Sequence, residues 1–282
     1  MNGSFETIQL TDPEPAGLLL REDKLVAFPT ETVFGLGAVA NSASAVARLF
    51  EAKGRPSDNP LIVHLADHRD WQLAAIQLTP TAEVLFHEFS PGPISIVLPK
   101  QPSILPEVTA GLDSVAIRIP SCPLAREVIR SCGLPIAAPS ANISGKPSAT
   151  CWEDVWEDLA GRIDAVLCLN SAEFGLESTV VDCCGEVPII LRSGAITLSA
   201  IRRYFPQARM LDTAAKGEQA NSPGLRHKHY QPNARVILFE AENAATELAD
   251  VAQARSALAC LSEYGCDRNE DWLVSRQYKT IE

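Results

Sequence analysis

Residues 115–150, VAIRIPSCPLAREVIRSCGLPIAAPSANISGKPSAT, hold the rhythm of most of the chain in one stretch. Val115–Ile119 is a short apolar run and reads as a strand. Pro123 suits the first turn of a helix, and Gly133 marks where that amphipathic stretch stops. Ile136–Ala138 reads as a second strand, which opens into a loop of hydroxyls, an amide and a lysine. A further helix is expected after Thr150, with Glu153 completing a capping box. Strand, helix, strand and polar loop in this order predict an α/β sheet.

The pattern extends outward in both directions. Leu25–Phe28, Leu61–His64, Ile94–Leu98, Ala165–Leu169 and Thr179–Asp182 are further strand candidates, and Ser42 or Ser44 can cap a helix ending at Lys53-Gly54. Between about 206 and 234 the periodicity dissolves into proline, glycine and asparagine, as in a long connection. Val236–Phe239 then reads as a strand and Ala244–Leu261 as a helix. The expected organisation is a catalytic domain over 1–209, a linker or lid over 210–234 and a small α/β unit over 235–282. That last unit is short enough to sit at the edge of independent stability.

With 282 residues, 46% of them hydrophobic, the chain can bury a substantial core. Its net charge of −11 argues against stable binding along a nucleic-acid backbone, which calls for a broad basic surface. Any nucleotide site must be a local basic pocket. No basic, apolar leader and no long apolar span is apparent, so a cytoplasmic protein without a membrane partner is expected. The eight cysteines are scattered and lack zinc-ligand spacing, which predicts reduced, mostly buried thiols.

Three polar segments could carry chemistry. In Phe28-Pro29-Thr30-Glu31-Thr32-Val33-Phe34-Gly35-Leu36-Gly37 a strand runs into hydroxyls, a carboxylate and glycines; a glycine turn with a capping threonine is the plainer reading. In Lys53-Gly54-Arg55-Pro56-Ser57-Asp58-Asn59-Pro60, followed by Leu61–His64, two cations flank a proline-stiffened loop, and either could meet phosphate or carboxylate. A basic pair at a helix end also serves simply as a dipole partner. In Ala138–Thr150 a polar loop precedes a helix N-terminus, which favours an anion. Arg118 lies inside an apolar strand and needs a carboxylate from protein or ligand. Ser178-Thr179 and Arg192-Ser193-Gly194 add hydroxyls and another cation. No Ser-His-Asp elbow, H-E-x-x-H or cysteine nucleophile motif is present. The inventory suits substrates that bring their own nucleophile, with positioning and charge neutralisation left to the protein.

Taken together, P-T-E-T-V-F-G-L-G, K-G-R-P-S-D-N-P-L-I-V-H, V-A-I-R-I-P, P-S-A-N-I-S-G-K-P-S, E-S-T-V-V-D and L-R-S-G-A-I resemble, in order, the YrdC-like L-threonylcarbamoyladenylate synthase family. The segment Ser222-Pro223-Gly224 through His229-Tyr230 is similar to the linker signature of the family's long form, although 235–282 is shorter than the usual C-terminal domain. The resemblance implies an open twisted α/β sheet with a concave basic cavity. It implies a nucleotidyltransferase that makes threonylcarbamoyl-AMP and pyrophosphate from L-threonine, bicarbonate and ATP, with Mg²⁺ held mainly through the ATP phosphates.

By the same resemblance Lys53 and Arg55 act on the phosphates, and Asn59, Ser140, Asn142, Thr150, Arg192 and Tyr230 complete the ATP side. Thr32, His64, Arg118, Ser140 and Ser178 surround L-threonine. The product would pass to a separate complex that threonylcarbamoylates tRNA. The alternative is an RNA-binding or ribosome-associated module of the same fold.

Overall fold

The computed structural model describes residues 6–169 and 172–211. The chain divides into two units, residues 1–230 and 231–282. The expected linker beyond residue 211, the strand over 236–239, the helix over 244–261 and Tyr230 lie outside the described residues.

Eleven strands form one mixed sheet among the described residues. They are β1 (Ile8–Leu10), β2 (Val26–Phe28), β3 (Gly35–Val39), β4 (Ile62–His64), β5 (Ile94–Pro99), β6 (Ser114–Arg118), β7 (Ile136–Ala137), β8 (Ala165–Leu167), β9 (Thr179–Asp182), β10 (Ile189–Arg192) and β11 (Arg209–Met210). Their order across the sheet is β1-β8-β2-β3-β7-β4-β6-β5-β9-β10-β11. The helices are α1 (Pro13–Arg21), α2 (Ala43–Lys53), α3 (Pro80–Phe89), α4 (Pro106–Thr109), α5 (Pro123–Cys132), α6 (Trp152–Leu159) and α7 (Leu198–Arg202).

The helix signals worked where the cap residue stood at the right place. Ser42 accepts the Ala45 N–H, and Gly54 closes α2 in the left-handed conformation at φ 58°. Pro123 opens α5 and Gly133 ends it at φ 71°. The expected capping box at α6 does not form. Its N-cap is Cys151, which makes no side-chain cap bond, and Asp154 instead accepts the Thr150 N–H at 3.4 Å. Thr150, the residue with a hydroxyl, stands one position too early.

The glycine stretch 35–37, read as a turn, is strand β3, paired antiparallel with β2 so that Phe28 faces Gly35. The turn is the segment before it. A Cβ on Gly37 would meet the Phe28 ring at 2.8 Å, so the glycine makes room for a core aromatic rather than for a bend.

The two faces of the sheet differ. Leu61, Val63 and Leu65, with Ile94, Ile96, Leu98, Val115 and Ile117, point into the main apolar core that also takes in Leu49 of α2 and Leu85 of α3. Because side chains alternate along a strand, the intervening residues Ile62, Ser95, Val97, Ala116 and Arg118 lie on the opposite face. Under β2 and β8 that opposite position is filled by α1 and α5, whose Leu20 and Val128 pack on Val26 and Leu167. Helices α1 and α5 approach so closely that a Cβ on Gly17 would stand 2.4 Å from the Val128 carbonyl. Over β4, β6, β5, β9 and β10 the described residues form a small apolar group on that face, Ile62, Val97, Ala116, Val180 and Leu191. Polar residues surround it.

The six described cysteines are all free thiols. Only Cys132 and Cys183 are buried, whereas Cys184 is exposed and the others are half-buried, so the expectation of mostly buried thiols is too strong. No described helix is long and apolar enough to cross a membrane.

Candidate active site

The polar residues of this second face line an open cleft. Its walls include Thr32, Arg55, His64, Arg118, Ser140, Asn142, Ser178 and Arg192, eight residues singled out from sequence in six separate segments. The strand-tip position expected for an α/β site holds only in part. Ile62 and His64 share one face of β4, and His64 sits beside Arg118 in the β4–β6 register, so the cleft spreads across the sheet as well as along its rim.

At one end the wiring is dense. The Arg118 guanidinium, 4% exposed, donates to Glu31 Oε1 at 2.7 Å, to Thr32 Oγ1 at 2.8 Å and, through Nε, to the Gly92 carbonyl at 3.4 Å. The carboxylate required by an arginine inside a strand is therefore a protein one. Burial pushes the Glu31 carboxyl upward, but the charge and hydrogen bond of Arg118 and neighbouring backbone N–H groups bring it below its ordinary value.

The hydroxyl hydrogens here have a determined order. Thr30 Oγ1 donates to the Val33 carbonyl at 2.6 Å, so the 2.9 Å contact between Thr30 and Thr32 must run from Thr32 to Thr30. Thr32 thus receives Arg118 and passes its own hydrogen inward.

His64 is buried and its Nδ1 stands 3.2 Å from the Ile62 carbonyl. A carbonyl only accepts, so Nδ1 carries the hydrogen and Nε2 is left as an acceptor. Burial, and then the Arg118 charge, lower its pKa to about 3, which keeps the ring neutral at physiological pH. Ser178 is buried beside it in the cleft wall; its carbonyl accepts two Arg192 N–H groups at 3.1 and 2.9 Å, and its hydroxyl lies 2.7 Å from Ser95. Gly194 permits this approach, since a Cβ there would meet the Glu177 carbonyl at 2.4 Å.

The other end is built from α2 and the loop after β7. Arg55 spans its own loop, donating to the Asn59 carbonyl at 3.3 Å and the Pro60 carbonyl at 3.0 Å. Lys53, in contrast, does not line the cleft. It is 1% exposed, and its ammonium donates to the carbonyls of Ser140 (2.6 Å) and Asn142, while its own carbonyl accepts the Ser144 N–H at 2.9 Å. Burial first and the Arg55 charge second lower its pKa to about 7. It clamps the loop that presents Ser140 and Asn142, one layer behind the surface that would meet phosphate.

Asn59 is buried and Thr150 half-buried, and neither lines the cleft. Sequence reasoning missed Glu31, Lys146, Ser148 and Glu177. The last three are cleft residues: Ser148 donates to Glu177 at 2.6 Å, and Lys146 reaches Asp158 of α6 at 2.5 Å. All four stood inside the quoted segments, but only the fold separates wall from filler there.

Arg55, Arg118, Lys146 and Arg192 face the cleft, with Glu177 the one carboxylate on its wall among the described residues. Such a surface, with its hydroxyls and neutral imidazole, defines an α/β protein whose sheet face carries a cationic, hydroxyl-lined cleft of the kind that suits anions. A family profile described as "Telomere recombination", that of Sua5, YciO and YrdC, matches residues 18–194, and "Threonylcarbamoyl-AMP synthase, C-terminal domain" matches residues 196–279. The chain belongs to the Sua5–YciO–YrdC family, in the long form that carries this C-terminal domain.

It is 45% identical over 239 residues to the threonylcarbamoyl-AMP synthase of Bacillus subtilis, covering 83% of this chain and 69% of that one. It is likewise 45% identical over 224 residues to that of Pyrococcus abyssi, covering 78% and 66%. The chain thus spans about two thirds of the length of these relatives. The crystal structure of P. abyssi Sua5 complexed with L-threonine matches with a TM-score of 0.86 at 37% identity, covering 96% of this chain and 82% of that one.

Proposed function

We propose that this protein is a threonylcarbamoyl-AMP synthase that condenses L-threonine, bicarbonate and ATP, releasing pyrophosphate. The observation that carries the proposal is the division of one cleft into two unlike ends. Thr32, His64, Arg118 and Ser178 suit an amino acid: a guanidinium for its carboxylate, and a neutral Nε2 acceptor for its ammonium or hydroxyl. Arg55, Ser140, Asn142 and Lys146 suit a nucleotide triphosphate, and Arg192, bonded to the Ser178 carbonyl and hydroxyl, joins that set from the amino-acid side. The relatives named for this activity, and the neighbour crystallised with L-threonine, support the same reading.

The reaction needs no enzyme nucleophile. The threonine amine attacks the carbon of CO₂ derived from bicarbonate and loses a proton to give a carbamate. A carbamate oxygen then bonds to the α-phosphorus of ATP as the bond to the β-phosphate oxygen breaks. Pyrophosphate leaves. Arg118 and Ser178 hold the amino acid in line, while Arg55, Arg192 and Lys146 offset charge growing on the departing phosphates. Lys53 acts indirectly by fixing the 140–144 loop. His64, neutral and of low basicity, orients rather than deprotonates.

No group of three or more His, Cys, Asp or Glu among the described residues could hold a metal ion. The cleft wall offers Glu177 and several hydroxyls, a sparse oxygen set that suits a magnesium ion carried mainly by phosphates and water. When bound, the ion supplies charge neutralisation on the triphosphate. Tyr230 and the segment around it are assigned to the nucleotide side on the family pattern. The product would be consumed by a separate complex that modifies tRNA.

The test is pyrophosphate release from ATP by the purified full chain, which is expected only when both L-threonine and bicarbonate are present. Equal release without threonine overturns the proposal. Salt-sensitive RNA binding without turnover would move the reading to an RNA-binding module.

A further inference from the structure

We infer that Glu31 is the positioning residue of the amino-acid end of the cleft, holding Arg118 at the angle and charge that let it select a substrate carboxylate. The inference rests on the proposed function and adds a residue that touches neither substrate.

Glu31 is 5% exposed and absent from the cleft wall, yet it is bonded to three of the segments around the amino-acid end. Its Oε1 accepts from Arg118 at 2.7 Å, and its Oε2 accepts the Cys122 N–H at 3.4 Å, where β6 turns into α5. Its own carbonyl accepts the N–H groups of Glu173 and Phe174 at 2.9 Å each, in the loop that leads to Ser178. Its neighbour in sequence is Thr32. One residue therefore ties together the segments that carry Thr32, Arg118 and Ser178.

The donor count on Arg118 gives this arrangement a purpose. A guanidinium has five N–H groups. Three are engaged, by Gly92, Thr32 and Glu31, which leaves one on each terminal nitrogen. Those two remain to donate to a substrate carboxylate.

The ion pair also sets the charge. An unpaired guanidinium at this depth would carry a large desolvation cost and would attract any small anion, inorganic phosphate included. Neutralised by Glu31, it offers directional hydrogen bonds with little net field. The site then favours a ligand that fits both the two donors and the flanking hydroxyls, which separates an amino-acid carboxylate from the phosphates bound at the other end. Burial opposes ionisation of Glu31, but Arg118 and the backbone N–H groups outweigh it, so the pair persists at neutral pH.

The experiment measures L-threonine affinity by calorimetry and steady-state KM for both substrates, first in the wild type. A wild type that neither binds nor turns over L-threonine overturns the proposed function itself. With an active wild type, Glu31→Gln is expected to weaken L-threonine on the order of 30-fold while leaving KM for ATP within about twofold. L-Threoninol, which lacks the carboxylate, should compete equally well against both proteins. The double variant Glu31→Gln/Arg118→Met should bind L-threonine no worse than Arg118→Met alone, because Glu31 acts through Arg118.

Unchanged L-threonine affinity in Glu31→Gln, equal losses for both substrates, or additive effects in the double variant would each overturn the inference. If Glu31→Gln does not fold, Glu31→Asp decides: it keeps the charge but shortens the reach. A folded Glu31→Asp with weakened L-threonine binding supports positioning, and one with wild-type affinity refutes it.

Discussion

The two ends of the cleft solve the same task, holding an anion, by opposite means. Arg118 is almost wholly buried and fixed by three partners, one of them a carboxylate. Lys146, at the other end, leaves 48% of its side chain exposed and pairs with Asp158. A buried, pre-wired cation costs nothing to order when a ligand arrives, but it demands a ligand of one shape. An exposed one accepts several arrangements and loses rotamer entropy each time. The wired end suits the small, invariant head of an amino acid. The looser end suits a triphosphate whose charge moves as pyrophosphate departs.

Substitutions can break this contrast in order of size. Arg118→Met strips the partner from a buried carboxylate, and unfolding measurements should show a loss of about 3–5 kcal/mol; a loss near zero would mean that the ion pair is solvated and the wired end is not wired. Arg55→Ala should raise KM for ATP by about 10- to 100-fold, the usual value of a charge-assisted hydrogen bond, and leave L-threonine affinity unchanged.

Lys53→Met sharpens the comparison through pH. The buried amine has a pKa of about 7 against an ordinary 10.5, so the unfolded chain binds the extra proton between those values. The folded state is penalised below about pH 7, and the penalty fades as pH rises toward 10.5. Thermal unfolding of both proteins across that range should show the wild type gaining on Lys53→Met as pH rises. A flat difference would place the ammonium in water, as a phosphate ligand rather than a clamp.

Lys146→Ala should be smallest: stability within about 0.5 kcal/mol, because its bridge is exposed, and a rise of no more than about fivefold in KM for ATP. A larger kinetic effect would make the loose end as specific as the wired one.

Much of this was legible in the chain. Short β-branched runs separated by capped helices gave β4, β5, β6 and β9 to within a residue or two, because alternation and capping are local. The motif letters brought Arg55, His64, Arg118, Ser140, Asn142, Ser178 and Arg192 forward before any geometry. The failures share one cause. Gly35-Leu36-Gly37 reads as a turn by composition and becomes a strand because Phe28 needs the space above it. Lys53 carries the same charge as Arg55 two residues away, and only the placement of the 140–144 loop over α2 turns it inward. Glu31 looks like one polar residue among three until the cross-sheet distance to Arg118 is known.

The sequence by itself determined which residues could bear charge, hydroxyl or imidazole, and where several of the strands and capped helices would fall. Those properties belong to side chains and to neighbours a few positions apart. Only the tertiary structure decided which polar residues of alternating strands meet in one cleft. It also decided which charges are spent on the protein itself: Glu31 on Arg118, and Lys53 on two carbonyls. Pairing of that kind depends on burial and on distances between segments far apart in the chain, which no local pattern encodes.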